Sequence, residues 1–139
     1  MYIPEEYKSR VLIAPEGTAT SGGGYLTPTP GLNSLTVRAV VNMGNATDLA
    51  LTLKSADDAT GTNATNFSDV PVFVDGTKQD NDAHAYTVSE DTGTTIVDFC
   101  IMPSLLSEGR TIGLAFGASN AANIIAAEII EDTAYKPAN

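Results

Sequence analysis

The chain has one cysteine, one histidine and no tryptophan in 139 residues, and only 7 lysines and arginines stand against 17 aspartates and glutamates. Each shortage excludes something. A single thiol, Cys100, rules out an internal disulfide and any zinc cage built from cysteines, which fits synthesis in a reducing cytoplasm or indifference to redox. A net charge of −10 is the wrong sign for a phosphate backbone, so nucleic acid is not the expected partner. No run approaches the ~20 apolar residues of a membrane span, and the opening MYIPEEYKSR lacks the basic-then-apolar order of a secretory signal. A cytoplasmic product without membrane attachment is expected. What is present, 42% hydrophobic and 17% charged residues, is the composition of one packed domain rather than a disordered acidic tail.

Apolar residues recur with a period of two, in short runs rich in Val, Ile, Thr, Tyr and Phe, which is the signature of strands rather than helices. Eight strands are expected, over residues 10–14, 35–42, 47–55, 70–75, 84–89, 94–102, 110–117 and 123–131. Glycine with Asn or Asp punctuates them, as at Gly44-Asn45, Asp75-Gly76 and Gly117-Ala118-Ser119-Asn120. The fold class that follows is all-β, a two-sheet antiparallel sandwich. Residues 1–34 contain Gly22-Gly23-Gly24 and Thr27-Pro28-Thr29-Pro30 and are expected to form an extended N-terminal arm beside a body of residues 35–139, within a single domain. The alternative is an ordinary loop packed on its own sandwich. Residues 103–109, with Pro at the start and Gly at the end, suggest a helical turn that plugs one end of the core. Pro71 cannot donate to a ladder, so its run belongs at an edge or at the beginning of a strand.

The rows separate the wet faces from the dry. Leu35, Val37, Ala39 and Val41 share one side of a strand, as do Leu49, Leu51 and Leu53, each opposite a polar row. Two strands are greasy on both sides. Val97, Phe99 and Ile101 form a core row, yet the opposite row holds Ile96, Asp98, Cys100 and Met102, and the last strand alternates Ile124, Ala126 and Ile130 with Ile125, Ala127 and Ile129. Such a surplus marks either a contact with another molecule or a patch covered within the subunit by the helical turn and the N-terminal segment.

Signs of catalysis are few. His84 is the only histidine, stands near Asp80 and Asp82, and is accompanied by no nucleophile motif, so a structural role is expected. Cys100 lies within a strand with no second cysteine nearby and is expected to be buried and inert. No glycine-rich phosphate cradle follows a strand and opens a helix. Nine acids and only Lys78 lie between Asp57 and Asp98, a pattern read as a solubilising surface, since the spacing matches no calcium loop. No enzyme activity, cofactor or metal is expected.

The strand-rich body, the extended N-terminal segment, the few aromatics and the stretch TIGLAFGASNAANIIAAEIIEDTAYKP together resemble the cement or decoration proteins on capsids of tailed double-stranded DNA bacteriophages. The resemblance covers most of the chain without a diagnostic motif. It implies a jelly roll, often dimeric, on the outer surface of the virion, bridging subunits of the major capsid protein and stabilising the mature lattice. Tyr2, Ile3 and Tyr7 of the arm, Tyr25 and Leu26, and the row of Ile96, Cys100 and Met102 are the candidate contact residues. A rival expectation is a carbohydrate-binding or host-recognition sandwich of a tail spike or fibre, against which stands the scarcity of aromatic platforms.

Overall fold

The computed structural model describes residues 7–107 and 109–133. Its strands are β1 (Tyr7–Gly17), β2 (Gly22–Leu26), β3 (Leu32–Met43), β4 (Leu49–Ala56), β5 (Thr65–Asn66), β6 (Val72–Val74), β7 (Thr77–Lys78), β8 (Ala85–Val88), β9 (Gly93–Ile101), β10 (Thr111–Phe116) and β11 (Ile124–Thr133). A six-stranded sheet runs β1-β11-β3-β9-β6-β7, and a five-stranded sheet runs β2-β10-β4-β5 with β8 also paired to β4. Every pairing is antiparallel. Without the short β5, β6 and β7, the sheets read β1-β11-β3-β9 and β2-β10-β4-β8, which is the double Greek-key order of a jelly roll. Among the described residues no helix is long and apolar enough to cross a membrane.

Period-two alternation explains the core. Leu35, Val37, Ala39 and Val41 of β3, Val97 and Phe99 of β9, and Ile125 and Ile129 of β11 point inward from one sheet. Leu49, Leu51 and Leu53 of β4 and Ile112 and Leu114 of β10 meet them from the other, and all of these are fully buried. All eight expected strands are present. Asp75 (φ 50°) and Gly76 (φ 83°) make the tight turn between β6 and β7, where both central residues have positive φ. Pro71 stands immediately before β6, with its carbonyl accepting from the Cys100 amide at 3.0 Å.

Two expectations are corrected. The described part of the supposed arm is integral to the sandwich, because β1 pairs along β11 and β2 pairs along β10. The glycines of β2 serve close approach rather than reach. A Cβ at Gly24 would collide with the Leu12 carbonyl, and one at Gly23 would lie 2.7 Å from the Leu114 carbonyl oxygen. The second correction concerns the turn after β9. It is a 3-10 turn of Pro103–Leu105 with no buried residue, so it does not plug the core; only Leu106 beyond it packs partly inward.

Two polar clasps fix the connections. Glu131 of β11 is fully buried, and its carboxylate accepts from the Thr29 amide at 2.6 Å and the Thr29 hydroxyl at 3.0 Å, with the Arg10 guanidinium 3.5 Å away. Arg10 in turn donates to the Thr27 carbonyl at 2.8 Å, so the proline-rich link between β2 and β3 is tied down at both threonines. At the other clasp Asn123, also fully buried, accepts from the Gly44 and Asn45 amides, both at 2.9 Å. Its amide group donates to the Thr47 carbonyl and the Ser119 hydroxyl, both at 3.0 Å. The Thr18 hydroxyl joins the same cluster by donating to the Asn123 carbonyl at 2.9 Å. Among the described residues no buried side-chain polar atom lacks a partner.

Candidate docking face

Register places the outward residues of the six-stranded sheet in rows. Ala126 of β11, Val40 of β3 and Ile96 of β9 form one apolar row, and Ile130, Thr36 and Cys100 form another. Between them runs a polar row of Glu128, Arg38 and Asp98. Arg38 donates from Nε to Asp98 Oδ1 at 2.8 Å and from Nη2 to Asp98 Oδ2 at 3.1 Å. That fork raises the already high Arg38 pKa further, burial opposing and the charges of Asp98 and Glu128 assisting. The charged line is therefore largely satisfied within the sheet, leaving the apolar rows as its unspent surface.

Exposed greasy side chains concentrate on this side. Among the described residues the exposed large hydrophobics Tyr7 (60%), Val11 (68%), Ile124 (37%) and Met102 (67%) lie on this face or at its margin, whereas Leu105 lies in the 3-10 turn. The pairing of β1 with β11 shifts register between Val11 and Ile13 and again between Ile13 and Glu16. At these bulges a shallow depression of about 260 Å³ opens, lined by Val11, Pro15, Val40 and Ala126 together with Arg38 and Glu128 of the charged row. The described part of the N-terminal segment continues the sheet as β1 instead of folding over its face, so it does not cover these rows.

The structure thus brings Tyr7, Ile96, Cys100 and Met102 to one side of the molecule. Tyr2 and Ile3 lie outside the described residues. Tyr25 and Leu26 belong to the other sheet and do not join the group: Tyr25 faces outward from β2 across Gly113, and Leu26 packs against the core. A Cβ at position 113 would strike the Tyr25 ring, so the glycine is what seats it, and the half-buried phenol has its pKa raised by desolvation. Reasoning from sequence missed Val11 and Val40 as contact candidates, and left Ile124, Ala126 and Ile130 of the two-sided last strand unassigned to either face.

Cys100 is half-buried on the outer face rather than sealed in the core. Burial, followed by the Asp98 charge, raises its pKa against an opposing hydrogen bond with Thr36, so the thiol form prevails at neutral pH. His84 precedes β8, and its Nδ1 lies 2.7 Å from Asp69 Oδ1 in a pair open to solvent. Asp80 and Asp82, its neighbours in sequence, are not its partners.

The acidic loops hold themselves. Asp58 is exposed and accepts from the Thr60 hydroxyl at 2.6 Å, the Thr60 amide at 3.0 Å and the Thr62 amide at 3.2 Å. Hydrogen bonds from the side chains of Thr60 and Thr62, then from their amides, hold its pKa at about 2 against an ordinary 3.8. Because the folded value is depressed, the ionised form supports this loop above the unfolded pKa, and that support is lost as pH falls through about 2. A carboxyl carbon NMR titration should give Asp58 a midpoint near 2; a midpoint near 3.8 would show that the loop does not hold it. Among the described residues no group of three or more His, Cys, Asp or Glu side chains is placed to hold a metal ion.

A scan against protein-family models finds no match to this chain, and a search of curated proteins finds none either.

Proposed function

We propose that this protein is a non-catalytic structural protein of a virion, a decoration protein whose six-stranded sheet docks face-on against the outer surface of a capsid. The observation that carries the reading is the clustering of Tyr7, Val11, Ile124 and Met102 around the apolar rows of Ile96, Val40 and Ala126 and of Cys100 and Ile130. Apolar side chains gathered on one face of a sandwich, on both sides of a charged row whose Arg38 and Asp98 are already paired, support a contact with another macromolecule. The jelly-roll order and the acidic, aromatic-poor composition agree with the likeness to capsid decoration proteins.

The mechanism is linkage. A protein that binds the expanded lattice of capsid subunits more tightly than the precursor lattice stabilises the former by the difference in binding free energy, repeated over every occupied site. A homodimer would engage two subunits at once and gain avidity without any new contact. Apolar burial supplies the attraction, since Arg38 is already paired and the net charge of −10 offers a shell only long-range, salt-screened forces.

The test is co-sedimentation with shells assembled from the capsid protein of the same genome, in precursor and expanded forms. Binding to the expanded shell at a fixed ratio, changed less than about threefold between about 50 and 500 mM salt, is expected. Protein that stays in the supernatant with both shells would overturn the reading. A steep loss with salt would show that charge, not the apolar face, carries attachment.

A further inference from the structure

The border of the five-stranded sheet at β8 is open. Facing residues in an antiparallel pair alternate between those that exchange both backbone bonds and those that exchange none, and the Leu53 amide donates to the His84 carbonyl at 2.6 Å. In that register His84, Tyr86 and Val88 turn their backbone groups to β4, while Ala85 and Thr87 turn theirs outward. On the outer side Ala83 is occupied by Val70, with which it exchanges bonds of 2.9 and 3.1 Å. Among the described residues no backbone group takes those of Ala85 or Thr87. Both residues are exposed, and a cleft of about 270 Å³ beside Gln79, Ala83 and Ala85 leaves room for a chain at this edge. β8 keeps step with β4 and carries no proline, lysine or bulge, the features that usually block a border.

We propose that the outer edge of β8 accepts an extended segment of another protein as an added strand, a segment with lysine or arginine at both ends. Two amides and two carbonyls stand there in strand geometry, so four main-chain bonds are available without rearrangement. Charge selects the occupant. Asp80 and Asp82 precede the strand and Glu90 and Asp91 follow it, all exposed, and no lysine or arginine lies between Lys78 and Arg110. A second copy of β8, laid in either direction, brings acid to acid and is repelled, whereas a segment with basic ends is matched at both. Four backbone bonds and a few exposed ion pairs give weak binding, with a dissociation constant on the order of 0.1–1 mM.

β8 lies in the sheet opposite the docking face, so this edge stands or falls independently of capsid attachment. The experiment is an amide NMR titration of the full chain with the capped peptide KTVTVTK up to about 2 mM. Saturable shifts centred on residues 85–88, with cross-strand contacts from peptide amides to Ala85 and Thr87, are expected. The equally charged peptide KTVPPTK, whose adjacent prolines remove a donor on either edge, and the acidic peptide ETVTVTE should bind at least about tenfold more weakly. D82N/E90Q/D91N, altered only at exposed positions, should keep the parent spectrum elsewhere and bind KTVTVTK at least about fivefold more weakly. Thr87→Pro, which removes an outward amide and leaves the bonds to β4, should abolish binding. The absence of saturable shifts with KTVTVTK would overturn the proposal, as would shifts centred elsewhere. Equal binding of KTVPPTK would also overturn it, by showing charge attraction without strand addition, and so would binding that D82N/E90Q/D91N leaves unchanged.

Discussion

An Asn123→Ala variant is expected to lose roughly 3–4 kcal/mol of folding free energy and to melt roughly 10–20 °C below the parent protein. The size follows from what the side chain holds. Four hydrogen bonds radiate from it, to the Gly44 and Asn45 amides, the Thr47 carbonyl and the Ser119 hydroxyl, and the residue is fully buried. Truncation leaves two backbone donors and one carbonyl without that partner, where unsatisfied groups cost about 1–3 kcal/mol each and water recovers part of the loss. It also uncouples the β3–β4 and β10–β11 connections at one end of the sandwich. Asn120→Ala is the control, because half-buried Asn120 loses only its local, solvent-open bond from the Ala122 amide at 2.9 Å, and a change under about 1 kcal/mol is expected. Urea unfolding of both variants checks this. Equal effects, or a loss below about 1 kcal/mol for Asn123→Ala, would show that the cluster is not the fastener of that end.

A V11D/M102D variant is expected to fold like the parent and to bind expanded shells at least about 100-fold more weakly, which corresponds to about 2.7 kcal/mol. Val11 and Met102 are the two most exposed large hydrophobics among the described residues, at 68% and 67%, so a carboxylate at either position is hydrated in the free protein. Closing an interface over it would require stripping that water from an unpaired charge. Thr87→Asp, on the exposed side of β8 in the opposite sheet, should leave binding unchanged. If V11D/M102D binds normally while Thr87→Asp does not, the docking face is on the other sheet.

The strands with clean alternation were legible in the sequence, since a buried β-strand writes its faces directly as a period of two. Leu35 to Val41 and Leu49 to Leu53 stand where that pattern places them. β2 was not legible, because Gly22, Gly23 and Gly24 have no side chains with which to display a face. Their role depends on the Leu12 and Leu114 carbonyls, residues remote in sequence from one or both of them. The contact row was half legible. The apolar surplus of Ile96, Cys100 and Met102 announced an outer face, but Val40 looked like one more strand-former until its pairing placed it between Ala126 and Ile96. Tyr25 misled for the opposite reason: an aromatic within the expected extended segment was a contact candidate, whereas it rests on Gly113 within the other sheet. Glu131 carried no local sign of burial, since its partner Thr29 comes from the far end of the chain.

The irregular border of the larger sheet sets a limit on how copies of this molecule can multiply. β1 forms one margin of that sheet and breaks step with β11 twice within its length. An incoming strand would meet a crooked template there, and fibre-like stacking through backbone bonds is disfavoured at that margin. Growth by side-to-side addition is thereby discouraged, and association through side chains is left as the route to a finite, countable assembly.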